Sequence, residues 1–220
     1  QALHQNSLTW AQSAMRSPLS QQRLSAAAIL GDIPGEEAVT LLGQLMRDSE
    51  SKVRRGSARA LGRHREESAF STLRGGLKDS DPDTRLATIA ALGIVAKELL
   101  ALGSSSAISQ LSSWLTEHAG GASEREQIRI HSLLLSIAPS GQSTHLAALA
   151  AFQSSSDPQV RRFLLDESPP DLGRAAAMLS DPDPSVRFAA ARQLAALGDA
   201  RAVPALRQAV QTDSGDAVQA

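Results

Sequence analysis

Residues 80–93 of the chain read SDPDTRLATIAALG, and residues 49–62, which lie 31 positions earlier, read SESKVRRGSARALG. Aligning the two stretches superimposes Arg54 on Arg85 and places a Leu-Gly pair seven and eight positions after each arginine. A third copy, PLSQQRLSAAAILG, occupies residues 18–31, a further 31 positions earlier. Three copies in strict register indicate a tandem repeat, in which each unit packs only against its neighbours.

The repeated arginine recurs along the rest of the chain at less regular spacing. The six copies, termed the anchor arginines below, are Arg23, Arg54, Arg85, Arg129, Arg161 and Arg187, with gaps of 31, 31, 44, 32 and 26 residues. The 44-residue gap is predicted to hold either a longer anchor helix reaching Leu102 or a loop at residues 120–123. In the shortest gap, Pro169-Pro170 is predicted to end a helix early, because proline cannot continue one.

Each repeat is predicted to contain two helices joined by a polar turn. Apolar side chains recur at helical spacing in residues 38–46, which precede an anchor. Asp81 and Pro82 then start the anchor helix, because aspartate accepts hydrogen bonds from first-turn N–H groups and proline suits the first helical position. The glycines eight positions after three anchors are predicted to end their helices in the left-handed conformation: Gly31, Gly62 and Gly93.

Composition excludes several classes of protein and site. The 220 residues are 42% apolar, enough for a sizeable core, and the formal net charge of −1 argues against a surface devoted to nucleic acid. The absence of cysteine excludes disulfides and thiolate metal sites, and it fits the cytoplasm or a bacterial periplasm equally well. No apolar stretch approaches the roughly 20 residues that a membrane-spanning helix needs.

The pattern D-P-x-x-V-R-x-x-A-x-x-A-L-G, which residues 48–62, 81–93 and 183–197 follow most closely, resembles the HEAT-like repeat of the bacterial PBS-lyase type. The resemblance implies an all-α fold, a right-handed α-α superhelix (HEAT-like solenoid) with about six helix pairs plus a terminal helix. A single domain over residues 1–220 is expected, interpreted as a fragment or processed part of a longer protein. Its units would lie at about 1–32, 33–63, 64–103, 104–139, 140–168, 169–198 and 199–220.

Two roles are open for the anchor arginines. They could form a ladder of cations that binds phosphate or carboxylate groups. Alternatively, each could fasten a turn by bonding an aspartate or a backbone carbonyl of the neighbouring repeat. Because every repeat carries one, the structural role is favoured.

The best candidate for a binding site is a basic stripe formed by Lys52, Arg55, Arg59 and Arg63, whose spacings of 3, 4 and 4 place them on one helix face. In the HEAT-like family the anchor helix usually lines the concave side, so the resemblance implies that the stripe faces a groove, joined by Arg162 and Arg192 from later repeats. The alternative is a solvated face that Glu66, Glu67 and nearby acids neutralise.

No catalytic residue, metal or cofactor is predicted. The five histidines, His4, His64, His118, His131 and His145, lack the spacings of metal sites, and the glycine pairs lack the Gly-Lys-Ser/Thr of a phosphate loop. Trp10 and Trp114 lie on apolar helix faces and are predicted to pack in the core; an exposed one would be a natural contact residue.

Three functions remain, in order of preference. The first is a non-enzymatic protein-protein interaction scaffold, monomeric on its own, that binds an acidic or helical segment of another protein through its concave surface. The second is a bilin-lyase-like helper acting on a phycobiliprotein, which the repeat subtype implies. The third is a nucleic-acid-binding HEAT-like protein, for which the basic excess is too local.

Overall fold

The computed structural model describes residues 2–138 and 141–212, and every regular element in these two ranges is helical. The prediction of an all-α fold is confirmed. Within these ranges no helix is both long enough and apolar enough to cross a membrane. The chain divides into two compact units, Gln1–Gly120 and Gly121–Ala220, and the single domain expected over residues 1–220 stays a prediction.

The first unit contains seven helices among its described residues: α1 (Ala2–Ala14), α2 (Ser20–Leu30), α3 (Glu36–Leu45), α4 (Ser51–Leu61), α5 (Glu67–Gly76), α6 (Pro82–Ala101) and α7 (Ser105–Ala119). The anchor helices α2, α4 and α6 lie side by side, while α1, α3 and α5 each pack against the anchor helix that follows them in the chain. The unit is therefore a tandem array of helix pairs, as the 31-residue spacing predicts.

The second unit contains α8 (Glu124–Ile137), α9 (Gln142–Ala151), α10 (Pro158–Glu167), α11 (Leu172–Met178), α12 (Pro184–Leu197) and α13 (Val203–Thr212), with short 3-10 turns at Phe152–Ser154 and Ala200–Ala202. Here α8, α10 and α12 are the anchor helices, with α10 between the other two. Helix α10 ends directly before Ser168 and the Pro169-Pro170 pair, as predicted.

The core follows from the repeat. The leucines seven positions after the first three anchors, Leu30, Leu61 and Leu92, are all completely buried. Full burial of a leucine side chain contributes about 1.5–3 kcal/mol to the free energy of folding. A second apolar cluster, which includes Leu165, Val186 and Leu194, fills the space between α10, α11 and α12.

The predicted helix starts are confirmed. The side chains of Asp81, Asp157 and Asp183 accept hydrogen bonds from backbone N–H groups of the first helical turn, and a proline follows each of them. The extra length between the third and fourth anchors is a long helix: α6 runs for 20 residues and its C-cap is Leu102.

Gly31 and Gly62 end their helices as predicted, but the predicted left-handed conformation is wrong. Their φ angles are −64° and −63°, which are right-handed, and Gly93 lies inside α6 instead of ending it. Gly31 and Gly62 allow neighbouring anchor helices to approach closely: a Cβ on Gly62 would lie 2.9 Å from the Cβ of Ala91 and 3.0 Å from its Cα. The glycine is needed for packing between repeats rather than for backbone conformation.

Candidate functional site

The first two anchor arginines fasten one repeat to the next. Arg54 donates from Nε to Oδ2 of Asp79 at 2.7 Å and from Nη2 to Oδ1 at 2.9 Å, and its Nη1 donates to the backbone carbonyl of Asp48 at 2.8 Å. Arg23 makes the same contacts with Asp48, at 2.6 and 2.8 Å, and with the carbonyl of Ser17 at 2.9 Å. Each pair joins residues 25 positions apart. We refer to this arrangement as the inter-repeat clasp.

The acid of each clasp has a second structural task. Oδ1 of Asp79 accepts a hydrogen bond from the backbone N–H of Asp81 at 2.9 Å and so also shapes the turn before α6. Burial alone would raise the pKa of Asp79, but the hydrogen bonds from Arg54 and from the Asp81 backbone, with the positive charges of Arg54 and Arg85, lower it overall. The carboxylate is therefore ionised at neutral pH.

A further complete clasp lies among the described residues of the second unit. Arg161 donates to both carboxylate oxygens of Asp181 at 2.7 Å and to the carbonyl of Ser155 at 2.7 Å. Arg85 and Arg187 bond the carbonyls of the turns that precede them, at 2.6 Å to Asp79 and at 3.1 Å to Asp181. These guanidinium groups are committed to packing contacts, which is the geometry of the structural role and not of an open cation ladder.

Arg129 does not occupy the anchor position. Five anchors lie four residues after the N-cap of their helix, but Arg129 lies six residues after Ser123, the N-cap of α8. Gln127 holds the fourth position, where its Nε2 donates to the carbonyl of Ala122 at 2.8 Å. The signal that could have set the register is the capping box, in which Ser123 is followed three residues later by Glu126.

Arg129 instead reaches across to α10. Its Nε donates to Oε2 of Glu167 at 3.1 Å, and its guanidinium carbon lies 5.3 Å from the ring centre of Phe163. The guanidinium of Arg125 lies 5.0 Å from the same ring. A charged group above an aromatic face is a favourable cation–π arrangement, so these contacts hold α8 and α10 together.

The basic stripe lies on one side of α4 and of the turn that follows it. Arg55 donates from Nη1 to Oδ2 of Asp83 at 2.8 Å, and Arg63 donates to Oδ1 of Asp32 at 2.7 Å. Asp83 and Asp32 belong to the neighbouring repeats, and their side chains are 58% and 72% exposed. Two of the four cations are therefore paired at the surface, where an ion pair is weak.

The other two cations of the stripe, Lys52 and Arg59, are exposed and form no ion pair with any residue in the described ranges. Glu66, one of the acids predicted to neutralise the stripe, makes its contacts with residues outside the stripe. Glu66 accepts a hydrogen bond from the backbone N–H of Gly35 at 2.5 Å and lies 3.3 Å from Nδ1 of His64. The centre of the stripe thus keeps its positive charge.

Apolar side chains border the middle of the basic stripe on both sides. Because α2, α4 and α6 are neighbours in 31-residue register, equivalent residues form four rows across them: Gln21–Lys52–Asp83, Leu24–Arg55–Leu86, Ala28–Arg59–Ala90 and Asp32–Arg63–Ile94. The contact between Arg63 and Asp32, and the side chain of Leu24 over Gly56, show this register. We call this surface the α2–α4–α6 face. Ala28 and Ala90 are exposed on it, and Ile94 is 48% exposed.

Arg162 and Arg192 lie in the second unit and share one acid. Arg162 Nε is 3.6 Å from Oδ2 of Asp166, four residues later on α10, and Arg192 of α12 donates to Oδ1 of the same carboxylate. That these two arginines extend the basic stripe stays a prediction.

Two histidines of the second unit meet each other. Nδ1 of His131 on α8 lies 3.1 Å from Nδ1 of His145 on α9. Burial lowers the pKa of His131, and the charge of His145 lowers it further. No three metal-binding side chains converge anywhere in the two described ranges. The side chain of His4 lies outside the described residues.

The prediction that both tryptophans are buried is wrong for Trp10, which is 46% exposed. Helix α1 packs through the buried Leu8 and Ala11, and Trp10 projects from a different side of the helix. Trp114 is half-buried: it stacks on Phe70 with ring centres 4.6 Å apart, beneath the guanidinium of Arg74.

The family model for HEAT repeats matches residues 7–93, 40–126 and 146–220, which together make up most of the chain. The chain belongs to the HEAT-repeat family. Its fold is the α-solenoid of that family, which confirms the predicted resemblance. A search among curated proteins finds no match.

Solved structures resemble this HEAT-repeat chain in fold. YibA of Escherichia coli has a TM-score of 0.60 at 18% identity, over 99% of this chain and 82% of that one. A chain from the complex of CpcE and CpcF, the phycocyanin lyase of Nostoc, has a TM-score of 0.57 at 18% identity, over 89% of this chain and 79% of that one. At these identities the likeness concerns the fold alone.

Proposed function

We propose that this HEAT-repeat chain is a non-enzymatic scaffold that binds another protein, and that the basic stripe on α4 is its main contact. The observation that supports this function is that some basic side chains bond neighbouring repeats whereas others have no ionic partner among the described residues. Arg54 is spent on a clasp, with its side chain 14% exposed, whereas Arg59 and Lys52 are exposed without an ionic partner among the described residues.

Keeping such cations together has a cost. Like charges three or four residues apart on a helix repel one another by about 0.2–0.5 kcal/mol per pair. Arginine is also enriched at the centres of protein interfaces, where its planar guanidinium binds carboxylates with two hydrogen bonds. An anionic partner would remove the repulsion between these cations. The stripe is therefore a suitable contact on the surface that, by the family resemblance, is expected to be concave.

The shared fold offers a precedent for assembly. The structure from Nostoc contains CpcE and CpcF as a complex, and a similar association with a second polypeptide is proposed here. The bilin-lyase-like alternative has no support beyond that fold. The nucleic-acid alternative is disfavoured because the basic excess is confined to one helix and its flanks, and the formal net charge of the chain is −1.

A photocrosslinking amino acid placed at Ala90, on the α2–α4–α6 face, tests the proposal in cells that naturally express the chain. We expect one defined protein to be crosslinked there, and the adduct to fall about tenfold or more when Lys52 and Arg59 are both replaced by glutamate. The matched control is Lys78→Glu, an exposed cation off the stripe, which should leave the adduct unchanged. The proposal fails if the adduct survives the double charge reversal, or if no protein is captured.

A further inference from the structure

The α2–α4–α6 face has a pattern that restricts the chemistry of its partner: a positive row along α4, with apolar side chains on both sides of its middle and polar side chains near its ends. Arg59 stands between Ala28 and Ala90. Both alanines are exposed, so a short apolar side chain lies on each side of the exposed arginine. Leu24 and Leu86 border one end of the row, and Ile94 borders the other.

We infer that the segment bound on this face is an amphipathic helix whose contact side carries a row of carboxylates bordered on both sides by apolar side chains. This inference rests on the proposed scaffold function and names the chemistry of its partner. Charge complementarity assigns the carboxylates to the basic stripe, and the apolar side chains on both sides of Arg59 assign the flanking rows.

A partner that presents carboxylates with apolar side chains on both sides must be a helix rather than an extended strand. Side chains on a strand alternate between opposite faces, so a strand that directs carboxylates at Arg59 directs its alternate side chains away from the surface. A helix presents residues spaced three and four apart on one broad side, which is wide enough for an acidic row and both apolar borders. Arg55 and Arg59 lie four residues apart on α4, about 6 Å along the helix axis, and acids four apart on a partner helix repeat at the same distance.

The paired ends of the stripe do not block such a partner. Arg55 and Arg63 bond the exposed carboxylates of Asp83 and Asp32, and exposed pairs of this kind contribute at most about 1 kcal/mol. A carboxylate of the partner can replace either aspartate at small cost. Arg59, which has no such competitor among the described residues, would make the central contact.

The probe is a hydrocarbon-stapled peptide helix with glutamates at three positions four apart and leucines on both sides of that row, labelled for fluorescence anisotropy. The matched peptide has the same composition but places the leucines on the side opposite the glutamates. We expect the patterned peptide to bind the full chain about tenfold or more tightly than the matched one, because only it can place leucines against the apolar side chains on both sides of Arg59.

Two surface variants separate the charged contribution from the apolar one. Arg59→Ala and Ile94→Ser should each weaken binding of the patterned peptide about tenfold, whereas Lys78→Ala should leave it within about twofold. Circular dichroism melting curves of the variants should match that of the parent chain, because all three side chains are exposed. An unchanged affinity for Ile94→Ser, equal binding of both peptides, or tighter binding of a single-stranded oligonucleotide overturns the inference.

The crosslinking experiment distinguishes this failure from failure of the scaffold function. If a protein is crosslinked at Ala90 in a manner that depends on Lys52 and Arg59, while the patterned peptide does not bind, the partner chemistry is wrong and the scaffold function stands. If neither occurs, both are wrong.

Discussion

Replacing Arg54 by alanine tests whether the inter-repeat clasp stabilises the array. The change removes two hydrogen bonds to Asp79 and one each to the carbonyls of Asp48 and Ser49. The side chains of Arg54 and Asp79 are 14% and 8% exposed, so the pair is close to the buried limit, where removing one partner costs about 3–5 kcal/mol. Asp79 keeps its hydrogen bond from the Asp81 backbone, which places the expected loss at the lower end, about 3 kcal/mol.

The matched control is Arg63→Ala, which breaks an ion pair of similar length between neighbouring repeats. The side chains of Arg63 and Asp32 are 48% and 72% exposed, so water already screens their interaction. Exposed pairs contribute about 0–1 kcal/mol, and the expected loss is below about 1 kcal/mol.

Urea unfolding followed by circular dichroism measures both losses. A double-mutant cycle with Asp79→Ala then isolates the coupling between Arg54 and Asp79, which we expect to exceed about 1 kcal/mol. If Arg54→Ala costs no more than Arg63→Ala, or if the cycle shows no coupling, the clasp is a geometric coincidence and the explanation of the repeated arginine is wrong.

Three further predictions concern packing and pH. Gly62→Ala should destabilise the chain by about 1–3 kcal/mol through overpacking. Gly75→Ala should stabilise it by up to about 1 kcal/mol, because Gly75 lies in a helix and no atom lies within 4 Å of the new Cβ. Urea midpoints of the two variants that shift in the same direction would contradict this. In NMR titrations the pKa of His131 should lie below its usual value of 6.5. In His145→Ala that pKa should rise only in part, because burial is the larger cause of the shift. The stability that neutral His131 contributes is complete above about pH 6.5 and declines as the pH falls, since the unfolded chain then binds the proton more readily. Burial would raise the pKa of Asp181, but the hydrogen bond from Arg161 and other favourable contacts lower it overall. The contribution of Asp181 to the free energy of unfolding is therefore present above about pH 4 and lost below it. Asp181→Asn should make stability depend less on pH in this acid range.

The sequence predicts those parts of the fold that depend on local chemistry. Asp81 and Asp183 begin helices because their carboxylates reach the N–H groups of the next turn, an interaction contained within a few residues. The repeat length and the fully buried Leu30 and Leu61 likewise follow from spacing alone. The long α6 was one of two predicted alternatives, and the absence of a helix-ending signal after Gly93 decides between them.

The features that sequence reasoning missed depend on contacts between repeats. Gly62 is the C-cap of α4, but glycine is needed there because of Ala91, 29 positions later, against which a Cβ would clash. Arg129 has the residue type of an anchor, yet the capping box at Ser123 shifts the register of its helix by two positions. That an anchor bonds an aspartate of the neighbouring repeat was predicted, but which aspartate was not, although an aspartate six positions before the next anchor, such as Asp79, marks it in the sequence.

The apolar side chains that border the basic stripe are another feature that sequence reasoning missed. Neither Ala28 nor Ala90 is notable within its own helix, and only the side-by-side packing of α2, α4 and α6 places them next to Arg59. A surface built from three helices has no signature in any one of them. The charge of the stripe could therefore be predicted, but the apolar contribution to it could not.

The clasp also constrains how the length of the chain can change during evolution. In the first unit each join connects an arginine to an aspartate 25 positions later, and the anchors there recur every 31 residues. Excising or duplicating one 31-residue block returns every remaining arginine to an aspartate at the original separation, so unequal recombination at this spacing preserves all joins. A gene lengthened or shortened by 93 base pairs would encode an intact product, whereas insertions of other sizes would have to be confined to loops or helix extensions such as the end of α6.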